Sequence, residues 1–180
     1  MMILHTSRLK LRSLRVEDAP SITRGIGNFK VCKNLARVPY PYTEADALDF
    51  LDWISMFDHR SLVCGIELPH TGELIGVISY LYEVEQDQCE LGYWLAEAHW
   101  GQGYGKEAAK AMVTHAFTAN SHEGLISAFH DDNPASGRIL QGLGFQITGH
   151  EPALSRAQDR IVPSTQLQLT KAEFLLRHAG

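Results

Sequence analysis

The stretch EAHWGQGYGKEA, residues 97–108, places Gly101, Gly103 and Gly105 directly ahead of KEAAKAMVTHAFTA, which reads as a helix rich in Ala, Lys, Met and Glu. Glycine is costly inside a helix and adds little to a strand. Clustered at the mouth of a helix that opens near Tyr104, it leaves a bare main chain that a bulky anion can approach. The unpaired N–H groups of the first turn and the helix dipole then favour negative charge there. Two familiar phosphate loops fail on spacing. A dinucleotide fingerprint, GxGxxG, started at Gly101 would need its third glycine where Lys106 stands. A nucleotide-triphosphate loop, GxxxxGK[ST], has Gly105-Lys106, but Trp100 replaces its first glycine and Glu107 its hydroxyl. A plain tight turn needs only one or two of the three glycines. A different phosphate-bearing ligand is the reading that remains.

Outward from that turn, the chain alternates strands and helices. QCELGYWLA (88–96) reads as the strand leading into it. Before it, SLVCGIEL (61–68) and ELIGVISYLYEVE (73–85), joined by the turn HTG, read as a hairpin. Earlier still come a strand, RLKLRSL (8–14), and a short helix within RVEDAPSITRGI. A proline-set loop, ARVPYPYT (36–43), precedes a helix, EADALDFLDWISMF, capped by Thr43 with Asp46 in its first turn. After the glycine-led helix, GLISAFH (124–130) is a strand. NPASGRILQGLGF is a helix opened by Asn133 and Pro134 and closed at Gly144. FQITGHE and TQLQLT are the last strands, with KAEFLLRH as a short final helix. This predicts a mixed α/β fold with an antiparallel first half, and no repeat or linker divides residues 1–180, so one domain is expected.

Composition narrows the function. The formal net charge is −5 without a long basic run, which argues against nucleic acid as a partner. Cys32, Cys64 and Cys89 lie far apart and are odd in number, the pattern of reduced cysteines rather than a disulfide framework. The opening MMILHTSRLKLRSL lacks an apolar core and a cleavage site, and no run of apolar residues is long enough to span a bilayer. A cytoplasmic protein without membrane contact is expected. The nine histidines form no HxxxH or HExxH arrangement, so no metal is expected.

Two motifs in order, ELGYWLAEAHWGQGYGKEA and NPASGRILQGLGF, together with the opening LHTSRLKLRSLRVEDA, resemble the GNAT acetyltransferases. Within them the likeness is to the branch of the RimJ/RimL ribosomal-protein N-terminal acetyltransferases, and it spans about residues 4–170. The superfamily pattern [Q/R]xxGxG/A is matched at Gly103 and Gly105, whereas its first position is Trp100. The resemblance implies one mixed, mostly antiparallel sheet of about six to seven strands, splayed in the middle and flanked by four or five helices. It implies direct transfer of an acetyl group from acetyl-CoA to a primary amine, that of a protein or peptide N-terminus. A small amine such as a polyamine or antibiotic is the alternative acceptor, a non-catalytic CoA sensor the alternative class. A monomer or homodimer fits either.

The resemblance also suggests places for each part. The CoA pyrophosphate would lie against the N–H groups of Trp100, Gly101, Gln102, Gly103, Tyr104, Gly105 and Lys106, with the Lys106 ammonium either adding charge or simply solvated. The pantetheine arm would pair with the strand end, and N–H groups around Trp94, Leu95 and Ala96 would face the thioester oxygen. Asn133 stands where the family places a CoA-contacting asparagine, although it also suits plain helix capping. Ser136, one turn on, is the candidate proton donor to the departing thiolate, or an ordinary first-turn serine. Glu90 shares a strand face with Gly92 and Trp94 and is the candidate general base, a structural ion pair being the alternative. His150 and Glu151 are the fallback for that role. Cys89 points opposite Glu90, so no covalent scheme is favoured. Tyr40, Tyr42 and Trp53 are candidate walls of the acceptor pocket, or core residues.

Overall fold

A computed structural model describes residues 3–120 and 122–178. Strands β1 (Ile3–His5) and β2 (Lys10–Arg12) lead through a short 3-10 turn at Val16–Asp18 into helices α1 (Ala19–Ile26), α2 (Phe29–Cys32) and α3 (Glu44–Ser55). Strands β3 (Leu62–Leu68), β4 (Glu73–Glu83) and β5 (Gln88–Leu95) follow, then α4 (Tyr104–Thr118), β6 (Gly124–His130) and α5 (Pro134–Leu143). The chain closes with β7 (Gln146–His150), β8 (Ala153–Ser155), β9 (Arg160–Val162), β10 (Ser164–Thr170) and α6 (Lys171–His178).

Eight strands form one sheet in the order β1-β2-β3-β4-β5-β6-β10-β7, and β8 and β9 make a separate hairpin. Every pairing is antiparallel except β5 with β6. That parallel contact is reduced to one register pair, Glu90 with Ile126. By contrast, β5 pairs with β4 from Leu95↔Gly76 to Gln88↔Glu83, and β6 pairs with β10 along its whole length. The sheet is therefore two well-laced halves joined at one point, and beyond that point β5 and β6 diverge into a cleft.

Two apolar clusters hold the layers. In α4, Ala108, Ala109, Met112, Val113, Ala116 and Phe117 recur at helical spacing as one buried stripe, and they pack with Ile66, Ile78, Leu91 and Phe145. The second cluster sets Ile22 and Ile26 of α1 and Ala47 of α3 against Val77 of β4, with Trp94 of β5 partly buried beside them. Arg12 fastens the lead into α1. Its Nη1 and Nη2 donate to Asp18 at 2.7 and 2.8 Å, and its Nε donates to Glu67. Burial is the largest single influence and would raise the Asp18 and Glu67 carboxyls, but the Arg12 bonds, joined by the Arg15 N–H on Asp18 and by Lys10 on Glu67, together outweigh it and hold both below their usual values.

Several local readings are met closely. The glycine-led helix opens at Tyr104, Thr43 and Asp46 form a reciprocal capping box on α3, and Gly144 ends α5 in the left-handed region at φ 108°. Others need correction. The sheet has eight strands rather than six or seven, and six α-helices rather than four or five occur among the described residues. The difference lies in short elements: β1 has three residues and α2 is a single turn capped by Asn28, too short for periodicity to register. The segment ALSRAQDR (153–160), between the strands read from FQITGHE and TQLQLT, forms the β8–β9 hairpin, turned with Asp159 at φ 49°.

Candidate active site

After β5 the chain makes a 3-10 turn at Glu97–His99, and Gly101 and Gly103 take φ of 74° and 82°, the left-handed region that glycine enters without strain. Gly103 is the N-cap of α4 and offers no side chain to its first turn. The Trp100 N–H donates to Glu97 O at 3.1 Å, and the Glu107 N–H donates to Gly103 O at 3.1 Å. Between them, the N–H groups of Gly101 to Lys106 have no hydrogen-bond acceptor among the described residues. The open cradle thus begins one residue later than the sequence suggested: Trp100 contributes no free amide. Gln102 also departs from expectation. Its side chain donates to Ala98 O at 3.2 Å, and it lies outside the residues lining the cleft.

A carboxylate in the first turn of a helix would oppose an incoming anion. Here the Glu107 carboxylate accepts from Thr6 Oγ1 at 2.6 Å, Arg8 N at 2.8 Å and Arg8 Nε at 2.7 Å. Burial would raise this carboxyl, yet those bonds hold it below its usual value. Arg8 also donates from Nη1 to Gln102 O at 2.9 Å and lies over the Tyr104 ring at 4.7 Å. It clamps the glycine turn from a position 99 residues away in sequence, and sequence reasoning passed it over as one basic residue of a strand.

The β5 edge facing the cleft has a parity. Ala96 N donates to Ile75 O at 2.9 Å, and a Cβ on Gly76 would sit 2.3 Å from Trp94 O, so the main-chain groups of the even residues face β4. The odd residues face the other way. Leu91 O accepts from Ser127 Oγ at 2.8 Å, and Leu95 O accepts from the Trp100 indole at 2.8 Å. The free groups on the cleft side are accordingly the N–H and C=O of Tyr93 and the N–H of Leu95. The amides of Trp94 and Ala96, expected to face the thioester, are turned into the β4 ladder.

Across the cleft, Asn133 Oδ1 accepts from Ser136 N at 3.4 Å and caps α5, leaving its Nδ2 unpaired among the described residues. Ser136 Oγ lies 3.0 Å from the Tyr93 hydroxyl. Burial pushes the Tyr93 phenol up to about 12, against a smaller lowering from Ser136, so it keeps its proton at neutral pH. Tyr93 is the residue that sequence reasoning missed. Lys106, Trp100, Asn133 and Ser136 all line this cleft, whose volume is about 780 Å³.

A second cavity of about 630 Å³ lies on the other side of β5, walled by Ile22, Ile26, Tyr42, Phe50, Trp53 and Trp94. Glu90, Gly92, Tyr93 and Trp94 belong to both cavities, so Glu90 stands where they meet. Its carboxylate is 3.5 Å from Arg37, whose guanidinium also lies 4.0 Å from Glu83. Tyr42 and Trp53 reach this wall. Tyr40 does not: it is half exposed and packs edge-on against Phe29 at 5.1 Å. The fallback pair is also elsewhere. His150 Nδ1 lies 3.0 Å from Thr165 Oγ1 on the far edge of the sheet, and neither His150 nor Glu151 lines either cavity. Cys89 is buried in the core, where burial pushes its thiol up to about 12, so it is no ready nucleophile. No group of three or more His, Cys, Asp or Glu suited to a metal occurs among the described residues.

Residues 8–146 match the family model described as the acetyltransferase (GNAT) domain. The chain belongs to the GNAT acetyltransferases. This GNAT chain is 27% identical over 180 residues to an uncharacterized N-acetyltransferase, p20, of Bacillus licheniformis, covering 97% of this chain and 99% of that protein. It is 36% identical over 78 residues to the ribosomal-protein-serine acetyltransferase of Escherichia coli K12, covering 43% of this chain and 44% of that protein. Its fold superposes on the solved structure of RimL, a ribosomal L7/L12 alpha-N-protein acetyltransferase in complex with coenzyme A. That match has a TM-score of 0.81 at 18% identity over 94% of this chain and 98% of the other. The chain is therefore an acyltransferase, and GNAT acetyltransferases use acetyl-CoA. The residues present fit that molecule: consecutive free amides at a helix mouth suit a pyrophosphate, and an unpaired strand edge suits an amide-bearing arm. No helix among the described residues is long and apolar enough to cross a membrane.

Proposed function

We propose that this GNAT enzyme transfers acetyl from acetyl-CoA directly to a primary amine, with a protein or peptide N-terminus as acceptor. The observation that carries the reading is Glu90, placed where the cleft behind β5 opens into the aromatic-walled cavity. The amides of Gly101 to Lys106 hold the pyrophosphate, with the Lys106 ammonium beside them. The free groups of Tyr93 and Leu95 align the arm, and the Leu95 N–H stabilises negative charge developing on the acyl oxygen. Bound acetyl-CoA supplies an activated acyl group. Glu90 removes the proton from the incoming ammonium, directly or through one water, as the ammonium displaces Arg37 from it. Ser136, bonded to the protonated Tyr93, returns a proton to the departing thiolate. Tyr42 and Trp53 wall the acceptor.

The volume of the acceptor cavity also suits a small amine, a second reading within the same chemistry. Thiol release from acetyl-CoA, measured against peptides, polyamines and aminoglycosides alongside calorimetric CoA binding, separates the readings. Release with peptides supports the first, and release with small amines alone supports the second. CoA binding without release for any acceptor rejects both in favour of a sensor. Glu90→Gln is expected to lower kcat/KM about a hundredfold, with partial recovery at alkaline pH where the amine arrives already neutral. A pH profile matching that of the parent enzyme removes Glu90 from the mechanism.

A further inference from the structure

The walls of the acceptor cavity say more than its size. Phe50, Trp53 and Phe57 form a continuous aromatic run, with ring centroids 6.3 and 4.5 Å apart, and the first two line the cavity. Trp94 lines the same cavity and is held rigidly: a Cβ on Gly25 of α1 would meet the Trp94 ring at 2.7 Å, so helix and indole are packed flush. Ile22, Ile26 and Val77 add to the lining. Such a surface is wetted at a cost and gains by covering apolar area.

The charged groups at the same cavity are mostly answered from within the chain. Glu90 faces Arg37, and Asp46 accepts from Thr43 N and Thr43 Oγ1 at 2.8 and 2.5 Å. Arg37 and Arg156 both line the cavity with Asp46, Asp49 and Glu90, placing two guanidiniums among three carboxylates, of which Asp49 has no ion pair among the described residues. One ammonium, exchanging with Arg37 at Glu90, is accommodated. A second cation has only Asp49 to meet, and a third would face Arg37 and Arg156.

We infer that the acceptor is a primary amine borne on a bulky apolar or aromatic body, rather than on a small hydroxylated residue or a polycation. The body fills the cavity that Trp53 and Trp94 line while its amine reaches Glu90. That body is the first side chain of a peptide or the frame of a small arylalkylamine. The inference rests on the transfer reading above and names its substrate class.

The test compares kcat/KM at saturating acetyl-CoA for peptides differing only in residue one (Phe, Leu, Ala or Ser), and for phenethylamine and spermidine. Burying a Leu- or Phe-sized side chain is worth roughly ten- to a hundredfold, so Phe and Leu peptides should exceed Ala and Ser by that margin. Phenethylamine should exceed spermidine similarly, and the balance between peptide and phenethylamine tells which source is used. In Trp53→Ala the Phe-to-Ala ratio should collapse several-fold. Phe50→Leu is the milder companion should the first variant fold poorly, with CoA affinity as the check on folding. Equal or better turnover of Ser and Ala peptides, or of spermidine, overturns the inference while leaving the transfer reading intact. Absence of thiol release with every amine overturns the transfer reading itself and the inference with it.

Discussion

The two cavities that meet at Glu90 are built from different materials. On the CoA side the working surface is main chain: six amides at the mouth of α4 and the outward edge of β5. Side chains there mostly support it, as Arg8 does by neutralising Glu107 and Thr6 by hydrogen-bonding to it. On the acceptor side the working surface is side chain, drawn from α1, α3, β4, β5, the segment from Leu35 to Tyr42 and Arg156 of the β8–β9 hairpin. A main-chain site depends on backbone angles that few sequences satisfy, and so it is constrained residue by residue. A side-chain site can be re-lined by substitution without moving the backbone, which suits a fold that keeps one donor and varies its acceptor.

The largest expected effect falls on the acceptor side. Arg12→Ala would leave the nearly buried Asp18 without its cation and Glu67 with Lys10 alone, at a cost of about 3–5 kcal/mol, and loosen the lead into α1. Denaturant unfolding measures it. The pH dependence has a definite sign. Both carboxyls are held below their ordinary values of 3.8 and 4.5, so the unfolded chain binds more protons in acid. Their contribution is complete above those values and fades as pH falls through the lower folded ones. Arg12→Ala should flatten that acid limb, and an unchanged limb would place the acid sensitivity elsewhere.

Next is Gly103→Val, which breaks the CoA side alone. A β-branched residue at φ 82°, with its Cβ 3.3 Å from Arg8 Nη2, is strained in the backbone and crowds the clamp. Calorimetry should show CoA binding weakened by roughly tenfold or more, by the size of such strain. Tight binding in this variant would mean that the amides are not what holds the phosphates.

The smallest effects test the span between the two sides. Ser136→Ala should lower kcat several-fold, about the contribution of one neutral hydrogen bond, with little change in CoA affinity. Tyr93→Phe should do the same. If the two hydroxyls act as one relay, the double variant costs little more than either single one. Fully additive losses would separate them.

How much of this could be read from residues in order depends on distance along the chain. Thr43 with Asp46, Asn133 with Pro134, and Gly103 ahead of Tyr104 lie within a few residues of what they govern, and all three were legible. Tyr40 and Trp53 were equally plausible walls in the sequence. Only packing separates them, one against Phe29 and the other into the cavity. Tyr93 carried no local sign of its partner, 43 residues on.

The sequence by itself determined the strand–glycine turn–helix unit and its affinity for an anion. Unpaired first-turn amides and positive φ are local properties of a few consecutive residues. The tertiary structure decided which edge of β5 is free, because that parity follows from its lacing to β4 and its single contact with β6. It also decided that Glu90 borders both cavities and that Arg8 guards the turn. Those are meetings between distant segments, Arg8 and Glu107 being 99 residues apart, set by how the layers pack and not by any neighbour in the chain.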